Sequence, residues 1–284
     1  MPPVSNLHQL LSHALKAGIS ASEAIMAIYR TPFDFDRKTD GSPITHADRR
    51  SNQLITDALK TTGLPIVSEE SQIKPWAERK HWNEYWLVDP LDGTREFISR
   101  NGEFAVNIAL MQNNMPIGGI IISPVLGKAW WGVAGQQAFT IKYLSLLGKI
   151  NVEVLLKHSV PIAPKPPAET IGMAVSRSHI EPHTLRLAQQ IRQKYGNVEL
   201  IKKGSALKFC DLIEGRPVIY ARYSQTWEWD TAAGHALLLA NGGQLYHITE
   251  HQPLQYNKIE LNNPGFIAFA RKEDSARYFS ELTF

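Results

Sequence analysis

The stretch Trp86-Leu87-Val88-Asp89-Pro90-Leu91-Asp92-Gly93-Thr94 gathers the residue types best suited to chemistry: an apolar run ending in two carboxylates, a forced turn and a hydroxyl. Pro90 fixes its own φ and Gly93 accepts backbone angles closed to other residues, so the turn can aim Asp89 and Asp92 at one point. Hard divalent cations take oxygen ligands, and Mg²⁺ favours a few carboxylates together with substrate phosphate. The Leu91 carbonyl lies between the two acids as a further oxygen donor. Beyond Thr94, Arg95-Glu96-Phe97-Ile98 can open a helix whose free N–H groups suit a phosphate. An ordinary Asp-Pro-x-Asp-Gly surface turn would use the same residues.

Two more acidic sites share the pattern. Leu64 to Val67 runs into Ser68-Glu69-Glu70, and Trp227-Glu228-Trp229-Asp230-Thr231-Ala232-Ala233-Gly234 sets an acid at the start of a helix. Each has a plainer use: Asp230 as an N-cap, Asp48 in a Thr45-x-x-Asp48 capping box, and Glu70 as a solvated side chain or a neighbour behind the ligands. Lys202, Lys203, Gly204, Ser205 and Lys208 crowd a helix start, where the helix dipole disfavours cations unless an anion joins them. Ser205 as an N-cap among solvated lysines accounts for the pattern equally well. Arg222 precedes the Asp230 loop and can offer a two-pronged fork to phosphate.

The elements that must position these residues follow from periodicity. Leu7, Leu10, Leu11, Ala14, Leu15, Ala21, Ala24, Ile25 and Ile28 recur at helical spacing, and a second helix runs from Thr45 to a stop at Gly63. Strands are expected at Leu64 to Val67, Tyr85 to Val88, Ala105 to Met111, Ile117 to Ile122 and Lys128 to Val133, with an Asn113-Asn114 turn. From Thr140 to Ala168 periodicity fades into Pro161, Pro164, Pro166 and Pro167. Strands at Thr170 to Val175, Val198 to Lys202, Val218 to Arg222 and Gly265 to Ala270 then alternate with helices at Pro182 to Tyr195, Ala206 to Glu214 and Thr231 to Asn241. Residues 1–150 read as an α+β metal-binding domain of two helices on a mostly antiparallel sheet. Residues 151–284 read as an α/β substrate-binding domain, with the site between the two.

The 284 residues, 43% hydrophobic and 20% charged, exclude a disordered or disulfide-stapled chain. Thirty Lys and Arg against 27 Asp and Glu leave a net charge of +3, too even to argue for a nucleic-acid partner. The single Cys210 fits a reducing compartment and reads as a small buried apolar residue. No secretory signal and no transmembrane run are read.

The set Glu69-Glu70, Asp89-Pro90-Leu91-Asp92-Gly93-Thr94 and Trp229-Asp230-Thr231-Ala232-Ala233-Gly234 resembles the lithium-sensitive, Mg²⁺-dependent phosphatases of the inositol monophosphatase superfamily. Lys38 to Asp48, Gly204 to Cys210 and Asn263-Pro264-Gly265-Phe266 resemble its CysQ branch, the bacterial 3'(2'),5'-bisphosphate nucleotidases of sulfur metabolism. The resemblance implies a layered α-β-α-β-α sandwich and removal of the 3'-phosphate of adenosine 3',5'-bisphosphate to give AMP. It implies that Glu69, Asp89, Asp92, Asp230 and the Leu91 carbonyl hold two or three Mg²⁺, and that Thr94 and Asp48 orient and deprotonate the attacking water. The Gly93 and Thr94 N–H groups would hold the reacting phosphate, with Ser205, Lys208, Arg222 and His179 on the nucleotide, and Glu69 and Asp230 also facing substrate. Four gathered carboxylates would repel one another unless two divalent ions balanced them. The alternatives are an inositol or sugar monophosphatase on the same fold and, more remotely, a catalytically silent anion-binding module. A cytoplasmic enzyme is expected, some relatives lying peripherally on the inner membrane; a monomer is compatible with the sequence.

Overall fold

The computed structural model describes residues 4–163, 170–178, 180–279 and 282. Its frame is a seven-stranded sheet in which Ile66–Ser68 runs parallel to Glu84–Asp92, followed by the antiparallel strands Ala105–Gln112, Met115–Ser123, Lys128–Val133, Ala138–Lys142 and Val160–Pro161. A second sheet orders Val198–Lys203, Ile171–Ser176, Ile219–Arg222, Phe266–Phe269 and Gln244–His247. Its first three strands are parallel and its last two antiparallel to their neighbours.

Period-two alternation divides the side chains among three cores. Trp86, Val88, Ile108, Leu110, Ile120 and Ile122 face the helices Val4–Tyr29 and His46–Lys60. Tyr85, Leu87, Ala109, Met111 and Ile121 face the opposite way, onto Leu207–Ile213 and Glu228–Ala240, whose far side meets Tyr220, Phe266 and Ala268 of the second sheet. Met173, Val175, Ile219, Ile267 and Phe269 pack against the helices Pro182–Tyr195 and Lys272–Phe279. The order is helix, sheet, helix, sheet, helix, the layered sandwich expected.

Several boundaries moved. The helix expected at Thr231 begins at Glu228, the one expected at Ala206 begins at Leu207, and Ala138–Lys142, Val152–His158, Gln244–His247 and Lys272–Phe279 add elements not read from the sequence. Helix Glu228–Ala240 packs so closely on the first sheet that a Cβ at Gly119 would collide with the Ala233 carbonyl. Only a glycine lets a strand and a helix backbone approach this far. Among the described residues, no helix is long and apolar enough to cross a membrane.

Candidate active site

In a regular strand, residues three apart point to opposite faces. Asp89 pairs with Asn107 and Asp92 with Ala105, so three steps on one strand oppose two on the other. This bulge at Pro90-Leu91, where proline has no N–H to contribute to the ladder, returns Asp92 to the face of Asp89. Ser51 from helix His46–Lys60 holds the bulge by donating to the Pro90 carbonyl at 2.6 Å, and the Leu91 N–H donates to Asp89 Oδ1 at 3.0 Å. Gly93 follows at φ +92°, the left-handed region that glycine enters without strain, and turns the chain into Thr94–Ile98.

Asp230 reaches the same point from the middle layer. It stands third in its helix, not at the cap: Trp227 is the N-cap, and its N–H donates to Asp230 Oδ2 at 2.9 Å. Carboxylate oxygens of Asp89, Asp92 and Asp230 all lie within 4.8 Å of one another. Asp92 Oδ2 also accepts from the Ala206 N–H at 2.5 Å and Asn107 Nδ2 at 3.2 Å. Burial, joined by the charges of Glu69, Asp92 and Asp230, raises the Asp89 carboxyl well above its usual range. Burial and the Asp92 and Glu69 charges push Asp230 up to about 8. The Asp92 carboxyl also rises through burial, against the pull of Lys208.

Glu69 stands beside the trio rather than in it. Its Oε1 accepts from Lys38 Nζ at 2.7 Å, and the same ammonium meets Glu70 Oε1 at 2.5 Å. Glu70 is therefore a half-buried ion-pair partner of Lys38 beside Glu69. Asp48 belongs both to its capping box and to a second contact. The Thr45 N–H and hydroxyl bind Asp48 Oδ2 at 2.7 and 2.5 Å, while Thr94 Oγ1 donates to Asp48 Oδ1 at 3.0 Å. Burial raises the Asp48 carboxyl despite these bonds. The Leu91 carbonyl sits 3.5 Å from Thr94 Oγ1.

Glu69, Asp92, Thr94 and Asp230 line a cleft of about 360 Å³ together with Ser205, Lys208, Arg222 and Trp227. The expected cluster of lysines at the helix start is dispersed. Lys202 is exposed, Lys203 lies 3.9 Å from Asp211, and Lys208 is buried with its ammonium on the Ser205 and Lys203 carbonyls at 2.6 and 3.3 Å. Ser205 takes a left-handed φ of +49° and is not the N-cap, which is Ala206. Arg222 Nε donates to Ser224 Oγ at 3.2 Å. His179 lies outside the described residues.

Other contributors had no role read from the sequence, although Asn263 opens the Asn263-Pro264-Gly265-Phe266 motif. Glu103 accepts a fork from Arg177 at 2.5 and 2.6 Å and the Gly204 N–H at 2.7 Å, and Ser178 donates to Glu96 at 2.8 Å, so both layers are clasped at the cleft. Asn263 Nδ2 reaches the Trp227 carbonyl at 2.7 Å and Thr231 Oγ1 at 2.9 Å, fixing the start of the Asp230 helix. Among the described residues, no lysine or arginine forms an ion pair with the carboxylate trio, and buried Asn107 Oδ1 has no partner. Converging carboxylates with only oxygen donors fit a hard divalent cation.

The inositol monophosphatase family profile matches residues 6–281. The chain belongs to that family. Within it, the chain is 36% identical over 270 residues to the 3'(2'),5'-bisphosphate nucleotidase CysQ of Salmonella typhimurium, covering 90% of this chain and 98% of that protein. It is 37% identical to the enzyme of the same name from Escherichia coli K12, with the same coverage. The crystal structure of CysQ from Bacteroides thetaiotaomicron superposes with a TM-score of 0.85 at 40% identity, covering 93% of this chain and 98% of that one. The suhB protein of Bartonella henselae, at 20% identity and TM-score 0.70, shares the fold of the family.

Proposed function

We propose that this family member is a Mg²⁺-dependent 3'(2'),5'-bisphosphate nucleotidase that hydrolyses the 3'-phosphate of adenosine 3',5'-bisphosphate to AMP and phosphate. The observation that carries the reading is the bulge that brings Asp89 and Asp92 to Asp230, opposite a hydroxyl already bonded to a buried carboxylate. Relatives named as bisphosphate nucleotidases over nearly the whole length support the substrate class.

Asp89, Asp92, Asp230 and the Leu91 carbonyl would hold Mg²⁺, with Glu69 joining once it leaves Lys38. Bound there, two or three ions would supply positive charge to the phosphate oxygens and acidify the attacking water. The chain's own part is positioning and proton transfer. Thr45 saturates Asp48 Oδ2, which leaves Oδ1 to Thr94. The Thr94 oxygen can then take a proton from water as its own proton passes to Asp48. A base carboxyl raised toward neutrality serves this better than an ordinary one.

The Gly93 and Thr94 N–H groups would hold the reacting phosphate, and Ser205, Lys208 and Arg222 the other. Lys208 would keep one carbonyl contact and turn the rest of its donors to the anion. Residues 1–150 as metal-binding part and 151–284 as substrate-binding part, His179 near the adenosine, lithium sensitivity and a cytoplasmic location belong to the same reading. A phosphate-release panel tests it. Adenosine 3',5'-bisphosphate should be the preferred substrate, and both chelation and Asp92→Asn should abolish turnover; a preference for inositol 1-phosphate would select the monophosphatase alternative.

A further inference from the structure

The cleft presents one large aromatic surface that the proposed mechanism leaves unused. Trp227 lies in the cleft wall with 41% of its surface exposed. Its ring stacks on that of Trp229, centroids 5.3 Å apart and planes 11° from parallel, and Trp229 is buried. The other aromatics of the cleft are occupied. Tyr220 meets Phe266 and Phe209 edge-on at 5.1 and 5.2 Å and carries the Lys208 ammonium 5.3 Å from its centroid; all three rings are buried. Among the described residues, Trp227 is therefore the cleft aromatic with open ring surface.

Its backbone is also tied to the carboxylates. Its N–H holds Asp230, its carbonyl accepts from Asn263, and its strand Thr226–Trp227 pairs with Asn262–Asn263. The ring thus stands at a set position relative to the reacting phosphate, backed by a second indole that removes its freedom to swing.

We propose that Trp227 is the stacking platform for the aromatic base of the substrate, and that it makes this site choose nucleoside bisphosphates over base-free sugar or cyclitol phosphates. The proposal rests on the nucleotidase reading. Every nucleobase has a π-face, so the platform selects for a base without naming which one, and Arg222 and Lys208 in the same cleft remain for phosphate. Base–aromatic stacking of about 1–3 kcal/mol corresponds to roughly five- to 150-fold in specificity.

The test compares kcat and KM of the wild type, Trp227→Ala and Trp227→Phe on adenosine 3',5'-bisphosphate and on its base-free counterpart, 1-O-methylribose 3,5-bisphosphate. Trp227→Ala should lower kcat/KM for the nucleotide about tenfold, through KM, and leave the base-free compound unchanged. Trp227→Phe, which keeps a ring, should recover most of the loss. An equal fall on both compounds would show that Trp227 acts only through Asp230 and would overturn the proposal, as would no change on either. A wild type that releases no phosphate from the nucleotide sinks the nucleotidase reading itself, and the platform with it.

Discussion

The carboxylate trio makes a signed prediction for the metal-free protein. Asp230 is held up to about 8 by burial and by its neighbours' charges, against 3.8 for a free carboxyl. A carboxyl raised on folding stabilises the folded state in acid: the contribution is complete below the unfolded value and is lost as pH climbs to the folded one. The span of about four pH units, at about 1.36 kcal/mol each, sets a ceiling near 6 kcal/mol. Asp230 keeps partial contact with solvent in the cleft, and screening there reduces the expected effect to about 3 kcal/mol.

Asp230→Asn removes the charge while its side-chain carbonyl can still accept the Trp227 N–H. Urea unfolding in EDTA should therefore show the variant gaining on the wild type by about 3 kcal/mol between pH 4 and pH 8. Saturating Mg²⁺ should reverse the order at pH 8. A ligand at about 1,000 times its Kd adds roughly 4.1 kcal/mol to the wild type, more than the deficit of about 3 kcal/mol, and the variant has lost a ligand to it. A difference independent of pH in EDTA, or a variant that loses ground toward pH 8, would refute the account of the trio as an uncompensated charge cluster.

Two further outcomes follow from the middle layer. His235 is buried between the Tyr256 hydroxyl (3.0 Å) and Gln244 Oε1 (2.7 Å), and burial lowers it to about 4, so its neutral form supports the fold. That contribution is present above pH 6.5 and lost as pH falls toward 4, about 3 kcal/mol in all, and His235→Gln should flatten this part of the unfolding profile. Buried Glu228 accepts from Lys258 Nζ at 2.6 Å and from the Asn257 and Lys258 N–H groups at 2.7 and 3.0 Å. Lys258→Met should cost about 3 kcal/mol by leaving that charge unpaired, and adding Glu228→Gln should recover part of it in a double-mutant cycle.

Long amphipathic helices and alternating strands were legible because one face of each is dry. The short motif at Asp89 was legible as chemistry but not as geometry. Acids three apart on a strand point opposite ways, and only the register against Asn107 and Ala105 shows the extra residue that unites them. The helix at Glu228 was placed late because an Asp before an apolar run reads as an N-cap, whereas Trp227 is the cap and Glu228 and Asp230 both fall in the first turn. The lysines near Ser205 looked like one cluster because sequence spacing does not reveal that Lys208 turns inward to carbonyls while Lys202 turns out. Lys38, Glu103 and Asn263 act through partners 31, 74 and 36 residues away, distances at which no local pattern forms.

The helix from Glu228 to Ala240 covers a sheet whose main strands end by Val133. During synthesis, roughly 100 residues separate that sheet from its cover. At about 5–20 residues per second, Tyr85, Leu87, Met111 and Trp130 stay uncovered on one face for roughly 5–20 seconds. The nascent N-terminal half is thus a client for chaperones until nearly the whole chain has left the ribosome, and a truncation before residue 228 should yield aggregate in place of a smaller folded unit.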